Sequence, residues 1–423
     1  MDAGSRRNRL SEEYFKRRFE VKAFSRTLIH AQPIKSCIIE ISACVRPEYI
    51  FKAVAVSENL FGKHPEFVVR ETKPFNGGAP VGLIRESHIT PVDLCFVRNH
   101  GAVPEVAVNS YRLEIMGEVS KPLALSLAEI QNRFARVAVP ATLQCAGNRR
   151  SELTTLAPIP HELEWGVEAI SHAVWAGVRL GDVLSASGLE SEAGSHLHVE
   201  FNGLDETERL GKRFKFGGSI PLTKALAHEV ILAYEMNGEP LTPVHGAPLR
   251  AVVPGYIGAR SVKWLERIVV QAEPSQNYFQ RKAYRLFAPQ VRADSVKWDE
   301  GLMLGEMNIT SVICSHVEHA RIKAGVVTLH GYAMTGGDRQ IIRVDVSCDG
   351  GKTWVQTEFT NEAQAFSWRL WKVDVNLKPG KYQFTVRAMD SAANTQPQDV
   401  AQVWNFKGYM NNAWHCVNVE VVS

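Results

Sequence analysis

The sequence has no C-x-x-C pair, and its seven cysteines, Cys37, Cys44, Cys95, Cys145, Cys314, Cys348 and Cys416, lie scattered along 423 residues. An odd, dispersed set argues against a disulfide scaffold or a zinc ribbon and for a reducing compartment. No apolar run reaches the roughly 18 residues of a membrane span, and no secretory apolar region follows the start. The first thirty residues are basic in SRRNRL and FKRRFEVK but carry Glu12, Glu13 and Glu20, whereas a mitochondrial transit peptide is poor in acids. A soluble intracellular protein is expected, cytoplasmic or mitochondrial. The net charge is only +3, which gives no reason to expect a nucleic-acid partner, so any anion chemistry must come from local clusters. A Walker loop and a GxGxxG are both missing, which argues against a nucleotide held in the usual ways. There is no low-complexity segment and no internal repeat.

The length suggests two or three domains. Residues 1–62 carry no motif, although SEEYFKRRFEVKAF reads as a helix capped by Ser11 and SCIIEISACV as a buried strand. Residues 63–289 are mixed α/β material without a regular βαβ repeat. SLAEIQNRF opens on a capping box, Ser126 with Glu129, and RLGDVLSASGL reads as a helix ending at Gly188. YRLEIMGEV and RIVVQAE read as strands. The two glycines inside APLRAVVPGYIGARSVKW, Gly255 and Gly258, suggest a close backbone approach to something bound. From 290 to 423 the texture changes to short strands of period two, such as VVTLHGYAM and GKYQFTVRAMD, separated by glycine-rich turns. CDGGKTW is a hairpin signal. This segment reads as an antiparallel β-sandwich of immunoglobulin type, without the Cys…Trp…Cys spacing of antibody domains.

An arbitrary cysteine is most often a small buried hydrophobe. Cys145 differs in its neighbours, because LQCAGNRRSE sets Arg149 and Arg150 close behind it. Guanidinium groups favour the thiolate, which is both a nucleophile and a soft metal ligand. A papain-like nucleophile would need a paired histidine and gives no reason for two arginines, whereas a metal ligand beside an oxyanion pocket explains both. CFVRNHGAVP adds Arg98, Asn99 and His100. HGAPLR adds His245 and Arg250, and GARSVKW adds Arg260, Ser261 and Lys263. Taken singly, each cation is a solvated surface charge. Together they sit in apolar, glycine-rich runs where exposed charge is out of place, which suits a phosphate or another oxyanion.

CFVRNH, LQCAGNRRSE, WAGVRLGDVL, LAYEMNGEPL, HGAPLRAVVPGYIGARSVKWL and VWNFKGYMNNAWH, in that order, resemble the sulfite oxidase family of molybdenum enzymes over roughly residues 64–423. The resemblance implies an α+β protein: a mixed α/β molybdopterin-binding domain followed by an immunoglobulin-like dimerisation domain. It implies the molybdenum–molybdopterin cofactor, with Cys145 as the protein's thiolate ligand to the metal and two further sulfurs from the pterin. Phe96, Val97, Arg98, Asn99, His100, Asp205, His245, Arg250, Ser261, Val262 and Lys263 would hold the pterin and its phosphate. Arg98 and Arg150 would line the anionic substrate pocket, with Trp165 and Tyr284 as its tryptophan and tyrosine.

Four positions depart from the animal pattern. His161 stands for a lysine, Ala283 for an aspartate, Lys407 for the substrate arginine and Cys416 for another arginine. His161 and Lys407 still present positive charge, so both join the expected catalytic set. The haem motif HPGG of animal members has no counterpart beyond HPEF at His64, so no haem is expected. Electrons would then pass to an external acceptor, cytochrome c or dioxygen. The expected activity is oxidation of sulfite to sulfate by a homodimer. A nitrate-reducing relative and a cofactor-binding protein without turnover are the alternatives.

Overall fold

Alternating apolar runs of the first half assemble into two five-stranded sheets. The computed structural model describes residues 60–189, 194, 196–209 and 211–423. The helix expected behind Ser11 and the strand expected in SCIIEISACV lie outside them. A hairpin of β1 (Val68–Thr72) and β2 (Phe75–Gly78) precedes β3 (Leu113–Gly117), β4 (Leu123–Leu125), α1 (Leu127–Arg133) and β5 (Arg136–Gln144). Then come α2 (Arg150–Thr154), β6 (Ile170–Arg179), α3 (Leu180–Ala186), β7 (His198–Arg209), β8 (Lys212–Pro221) and α4 (Leu222–Ala225). The half closes with β9 (Ile231–Met236), β10 (Glu239–Pro240), β11 (Arg250–Val252) and β12 (Leu265–Gln271). One sheet runs β10-β9-β6-β5 with β11 also on β9, and the other runs β4-β3-β12-β7-β8. The β3–β12 pair is parallel.

Local sequence signals account for the helix ends. Ser126 Oγ accepts from Glu129 N at 3.2 Å while Glu129 Oε2 accepts from Ser126 N at 2.8 Å, so two otherwise unpaired amides at the start of α1 are satisfied. Behind α3, Gly188 takes φ +75°, a left-handed conformation that stops the helix without steric penalty. Gly255 and Gly258 both mark close approaches to the protein's own backbone, and Gly258 also lines the cavity described below. A Cβ on Gly255 would lie 2.5 Å from Gly337 O, and one on Gly258 would lie 3.0 Å from Gln144 O.

The second half contains a short pair, β13 (Arg285–Leu286) and β14 (Leu302–Met303), followed by β15 (Thr310–Ile313), β16 (Ala320–Lys323), β17 (Gly325–Met334) and β18 (Ile341–Ser347). It ends with β19 (Val355–Gln356), β20 (Glu358–Phe359), β21 (Arg369–Leu377), β22 (Gly380–Asp390) and β23 (His415–Val422). Sheets β15-β17-β21-β20 and β16-β23-β22-β18-β19 face each other as a sandwich. Leu329 and Trp371 from one meet Val346, Phe384, Val417, Val419 and Val421 from the other. The period of two in β23 turns those three valines inward and leaves Asn418 and Glu420 exposed. CDGGKTW forms the expected hairpin between β18 and β19: Asp349 Oδ1 accepts from Lys352 N and Thr353 N, and Gly350 and Gly351 both take positive φ.

The sandwich also packs on the first half. Tyr332, Met334, Trp368 and Leu370 join the same buried cluster as Leu113, Phe201 and Val253. A segment before β23 returns to the loop after β5, where Met410 N donates to Ala146 O at 2.7 Å.

Candidate active site

Strands of both five-stranded sheets end at one cavity. Cys145 follows β5 directly, Trp175 lies on β6, Asp205 on β7, Phe216 on β8, Met236 on β9 and Arg250 on β11. Phe96, Arg98 and His100 enter from a segment whose Val97 exchanges two backbone hydrogen bonds with Gly77, at 2.8 and 3.1 Å. His245, Ser261, Lys263 and Tyr284 complete the part of the wall that concerns chemistry. Val97 and Val262 are buried in apolar clusters, where they fix the backbone of their segments.

Cys145 is buried beside Trp165, and its Sγ accepts a hydrogen bond from Gly147 N at 3.4 Å. The two neighbouring arginines do not sit against the thiol as their spacing suggested. Arg149, at φ 66°, turns to the sandwich: it pairs with Glu152 at 2.7 Å and donates to Thr310 Oγ1 at 3.3 Å. Asn148 Nδ2 likewise reaches Tyr332 Oη at 3.2 Å, so much of AGNRR serves to clamp the loop that carries Cys145. Arg150 lies across Gly147, where a Cβ would sit 2.5 Å from its Nη2, and donates to Lys407 O and Gly408 O.

Arg98 supplies the cation on the cavity wall. Its Nη1 donates to Asn76 Oδ1 and Asn99 O, and its Nη2 donates to His100 Nδ1 at 3.2 Å. Burial works against its charge, but nearby Tyr284, Cys145 and Glu162 outweigh that and raise its pKa. Because guanidinium can only donate, His100 Nδ1 must be an acceptor. Burial, then Arg98, holds His100 well below the usual imidazole range, so the ring is neutral with its proton on Nε2. That Nε2–H donates to Tyr284 Oη at 2.8 Å, which frees the phenolic proton to donate elsewhere. Burial, with Cys145 nearby, pushes the Tyr284 pKa up, so the phenol stays a donor.

The other end of the cavity gathers cations with little to balance them. Arg250 donates to His245 O and Ser261 O, both at 3.0 Å, and stacks 4.7 Å over Trp175, but meets no carboxylate among the described residues. Lys263 Nζ donates to Asn99 Oδ1 and Val244 O. Burial, then Arg250, holds its pKa well below the ordinary lysine range despite the facing Asp205. Burial pushes Asp205 itself up to about 6, and its Oδ1 has no partner among the described residues. Burial, then Lys63, keeps His245 neutral. Cys95 also lines this end, but burial pushes its thiol up to about 12, so it stays protonated. Arg260 points away, to Leu304 O at 2.8 Å.

Near Tyr284 the charges are paired. Tyr409 stacks on Tyr284 at 5.3 Å, and Arg150 and Lys407 lie 5.0 and 5.7 Å from the centre of the Tyr409 ring. Glu162 bonds Lys407 Nζ and lies 3.6 Å from Arg150 Nη2. Burial raises its pKa, but Lys407 and Arg150 prevail and hold the carboxyl below the usual range. Lys407 is therefore a paired cation, not the free one its place in the motif suggested. His161 is exposed at φ 66° and takes no part in the cavity wall. Ala283 is buried in the turn before Tyr284, and Cys416 faces a separate surface cleft on β23.

The sequence reading missed Lys63, Glu162 and Tyr409. Lys63 is buried and donates to Val92 O, Cys95 O and His245 Nε2, the last at 2.8 Å. In HPEF-like and HELEW-like contexts a lone Lys or Glu reads as a surface charge, and no local signal distinguishes it. Tyr409 stands two residues after Lys407 in VWNFKGYMNNAWH and was visible only as part of that motif.

The donor set fits a group that carries a soft metal at one end and an anion at the other. The thiol, packed against the buried Trp165, stands at one end, and Arg250 and Lys263 with Asp205, whose Oδ1 has no partner among the described residues, stand at the other. The chain matches the oxidoreductase molybdopterin binding domain over residues 100–279 and the Mo-co oxidoreductase dimerisation domain over 302–422. It is 43% identical over 371 residues to "Sulfite oxidase, mitochondrial" of Homo sapiens, covering 85% of this chain and 66% of that protein, slightly under two thirds of its length. It is 40% identical over 374 residues to "Sulfite oxidase" of Arabidopsis thaliana, covering 84% of this chain and 94% of that one. The solved sulfane dehydrogenase SoxCD from Paracoccus pantotrophus superposes with a TM-score of 0.69 at 27% identity, covering 83% of this chain and 88% of that one. With both domain matches in order and relatives at this identity across most of its length, the chain belongs to the sulfite oxidase family of molybdopterin-binding oxidoreductases.

Proposed function

We propose that this protein oxidises sulfite to sulfate at a molybdenum–molybdopterin cofactor. The observation that carries the reading is a single cavity with Cys145, Arg98 and Tyr284 at one end and His245, Arg250 and Lys263 at the other. Sulfite and water give sulfate, two protons and two electrons. Bound in the cavity, the molybdenum group would supply exchange of one oxygen atom and acceptance of the two electrons.

The residues divide the work. Cys145 would hold the metal through its thiolate. Arg250, Lys263 and Ser261 would hold the phosphate, with His245, Asp205, Phe96, Asn99 and His100 against the pterin and Val97 and Val262 fixing the backbone. Arg98 attracts the anion and balances its charge as it reacts. Tyr284, oriented by His100, donates its hydroxyl proton to an anion oxygen. Trp165 packs the thiol side and keeps water out, and Arg150 and Lys407 act through the field near Tyr409. Removing one donor preorganised in this way typically costs about 10²–10³-fold in rate.

The finer assignments belong to the same proposal. Residues 63–289 would bind the cofactor, and 290–423 would join two copies into a homodimer. The electrons would pass to an external acceptor, cytochrome c or dioxygen, in the cytoplasm or the mitochondrion. Among the described residues, no helix is long and apolar enough to cross a membrane. The test is steady-state turnover of sulfite and of nitrate by the molybdenum-loaded chain with a dye as electron partner. Sulfite oxidation is expected. Faster nitrate reduction would reverse the substrate assignment, and no turnover of either would reduce the protein to a cofactor binder.

A further inference from the structure

Three cations stand near Tyr284, and they are not equivalent. The hydrogen-bond partners of Arg98, Asn76, Asn99 O and His100, are all uncharged, so among the described residues its charge faces the cavity without a directly bonded counter-ion. Lys407 and Arg150 both lie against Glu162. The Glu162 and Lys407 side chains keep only 15% and 14% of their surface, so water does little to screen the pair. A carboxylate here has no structural need that a neutral amide would fail to meet, since Arg150 is also anchored by Leu163 O, Lys407 O and Gly408 O.

We propose that Glu162 sets the anion specificity of the site: by pairing with Lys407 and Arg150, it withdraws two of three cations from the incoming anion and repels a dianion more than a monoanion. The proposal rests on the reading of the cavity as a site for anion oxidation. Its physical basis is Coulomb's law. A fixed carboxylate repels an anion in proportion to that anion's charge, so neutralising it helps sulfate twice as much in free energy as nitrate. Pairing also costs the anion the work of displacing Glu162 from Lys407 before that ammonium can be used.

The experiment compares the molybdenum-loaded full chain with Glu162→Gln, using calorimetric titration of sulfate and of nitrate, neither of which requires sulfite turnover. Sulfate is expected to bind about tenfold more tightly to the variant, and nitrate only about threefold, the square root of that factor. Equal gains, no gain or weaker binding would overturn the proposal. Lys407→Met is expected to change sulfate affinity less than about threefold on its own and about tenfold in the Glu162→Gln background, a coupling that a double-mutant cycle reads directly. The measurement on Lys407→Met alone stands even if Glu162→Gln fails to load the cofactor. A tenfold loss from Lys407→Met alone would show that the ammonium is already free to bind, and would sink the idea. If the charge-dependent shift appears but the wild type does not oxidise sulfite, the reaction is wrong and the role of Glu162 stands. If sulfite is oxidised and the shift is missing, the role of Glu162 alone is wrong.

Discussion

Lys263→Met separates holding the cofactor from holding the fold. Lys263 donates to Asn99 Oδ1 and to Val244 O, stacks 4.3 Å over Trp264, and faces Arg250 with Asp205 as the nearby acid. In the cofactor-free protein this cation is poorly compensated, which is why burial and Arg250 depress its pKa so far. Removing a buried ion that is poorly paired relieves its desolvation penalty, on the order of a few kcal/mol. The opposing cost is Asn99 Oδ1, which loses its donor and is worth about 1–3 kcal/mol. The two nearly cancel, so the cofactor-free variant is expected to melt within a few degrees of the wild type, on either side. With a phosphate present the balance changes. The lost charged hydrogen bond is worth about 1.5–3 kcal/mol, or roughly 10–150-fold in cofactor affinity. Thermal unfolding with and without cofactor, together with pterin fluorescence after gel filtration, measures both. A cofactor-free protein destabilised as much as the loaded one would refute the argument, because Lys263 would then be a structural residue and not an anion ligand.

Cys145→Ser is expected to abolish sulfite oxidation while pterin content stays close to normal, because a hydroxyl is a poor substitute for a soft thiolate; full activity in a molybdenum-replete variant would remove Cys145 from the metal site. Tyr284→Phe is expected to lower kcat/KM for sulfite by about 10²-fold, and His100→Phe by about tenfold with the loss mainly in kcat, since His100 reaches the anion only through the phenol it orients; equal losses would contradict that division. Lys63 gives a pH signature. Burial lowers its pKa to about 8 in the folded protein, whereas the unfolded chain holds the proton up to about 10.4. The burial penalty is therefore full below pH about 8 and is relieved as pH rises towards about 10.4. The stability of wild type minus that of Lys63→Met, from urea unfolding of the cofactor-free protein, should rise by up to about 3 kcal/mol across that window. A flat difference would mean that Lys63 is not buried as a cation.

Features written in short sequence windows were legible, and features made by distant pairing were not. The capping box at Ser126 and Glu129, the stop at Gly188 and the CDGGKTW hairpin each depend on a few adjacent residues, and each occurs as read. The sandwich followed from period two alone. Cys145, Arg98, His245, Arg250 and Lys263 were legible because they sit in long motifs, and one cavity brings them together. The direction of a side chain was not legible. Cys145, Arg149 and Arg150 are near neighbours in sequence, yet Arg149 points into the sandwich and Arg150 to Lys407 O. Nor could the partner of Lys407 be read, because Glu162 lies 245 residues away. His161 and Glu162 differ by one position, and a left-handed backbone at His161 leaves the histidine exposed and turns the glutamate to Lys407. Such pairings are set by tertiary geometry, which composition and spacing do not encode.

The two ends of the cavity treat positive charge in opposite ways, and the difference matches the residence time each ligand needs. At the Lys263 end, Arg250 and Lys263 are buried against carbonyls, an amide and an aromatic ring, with one carboxyl whose own pKa is raised. Such cations carry an unrelieved desolvation cost that a bound anion removes, so the anion gains nearly the whole interaction and dissociates slowly. A cofactor kept through many turnovers needs this. At the Tyr284 end, two of the three cations already have Glu162 as counter-ion. An anion arriving there displaces an existing partner and gains only the difference between two ion pairs. Weak net binding is what a turnover site requires: in the proposed reaction, sulfate carries the same double charge as the sulfite it replaces and must leave before the next cycle. Tight electrostatic capture of the substrate would be tight capture of the product as well, and release would then limit kcat.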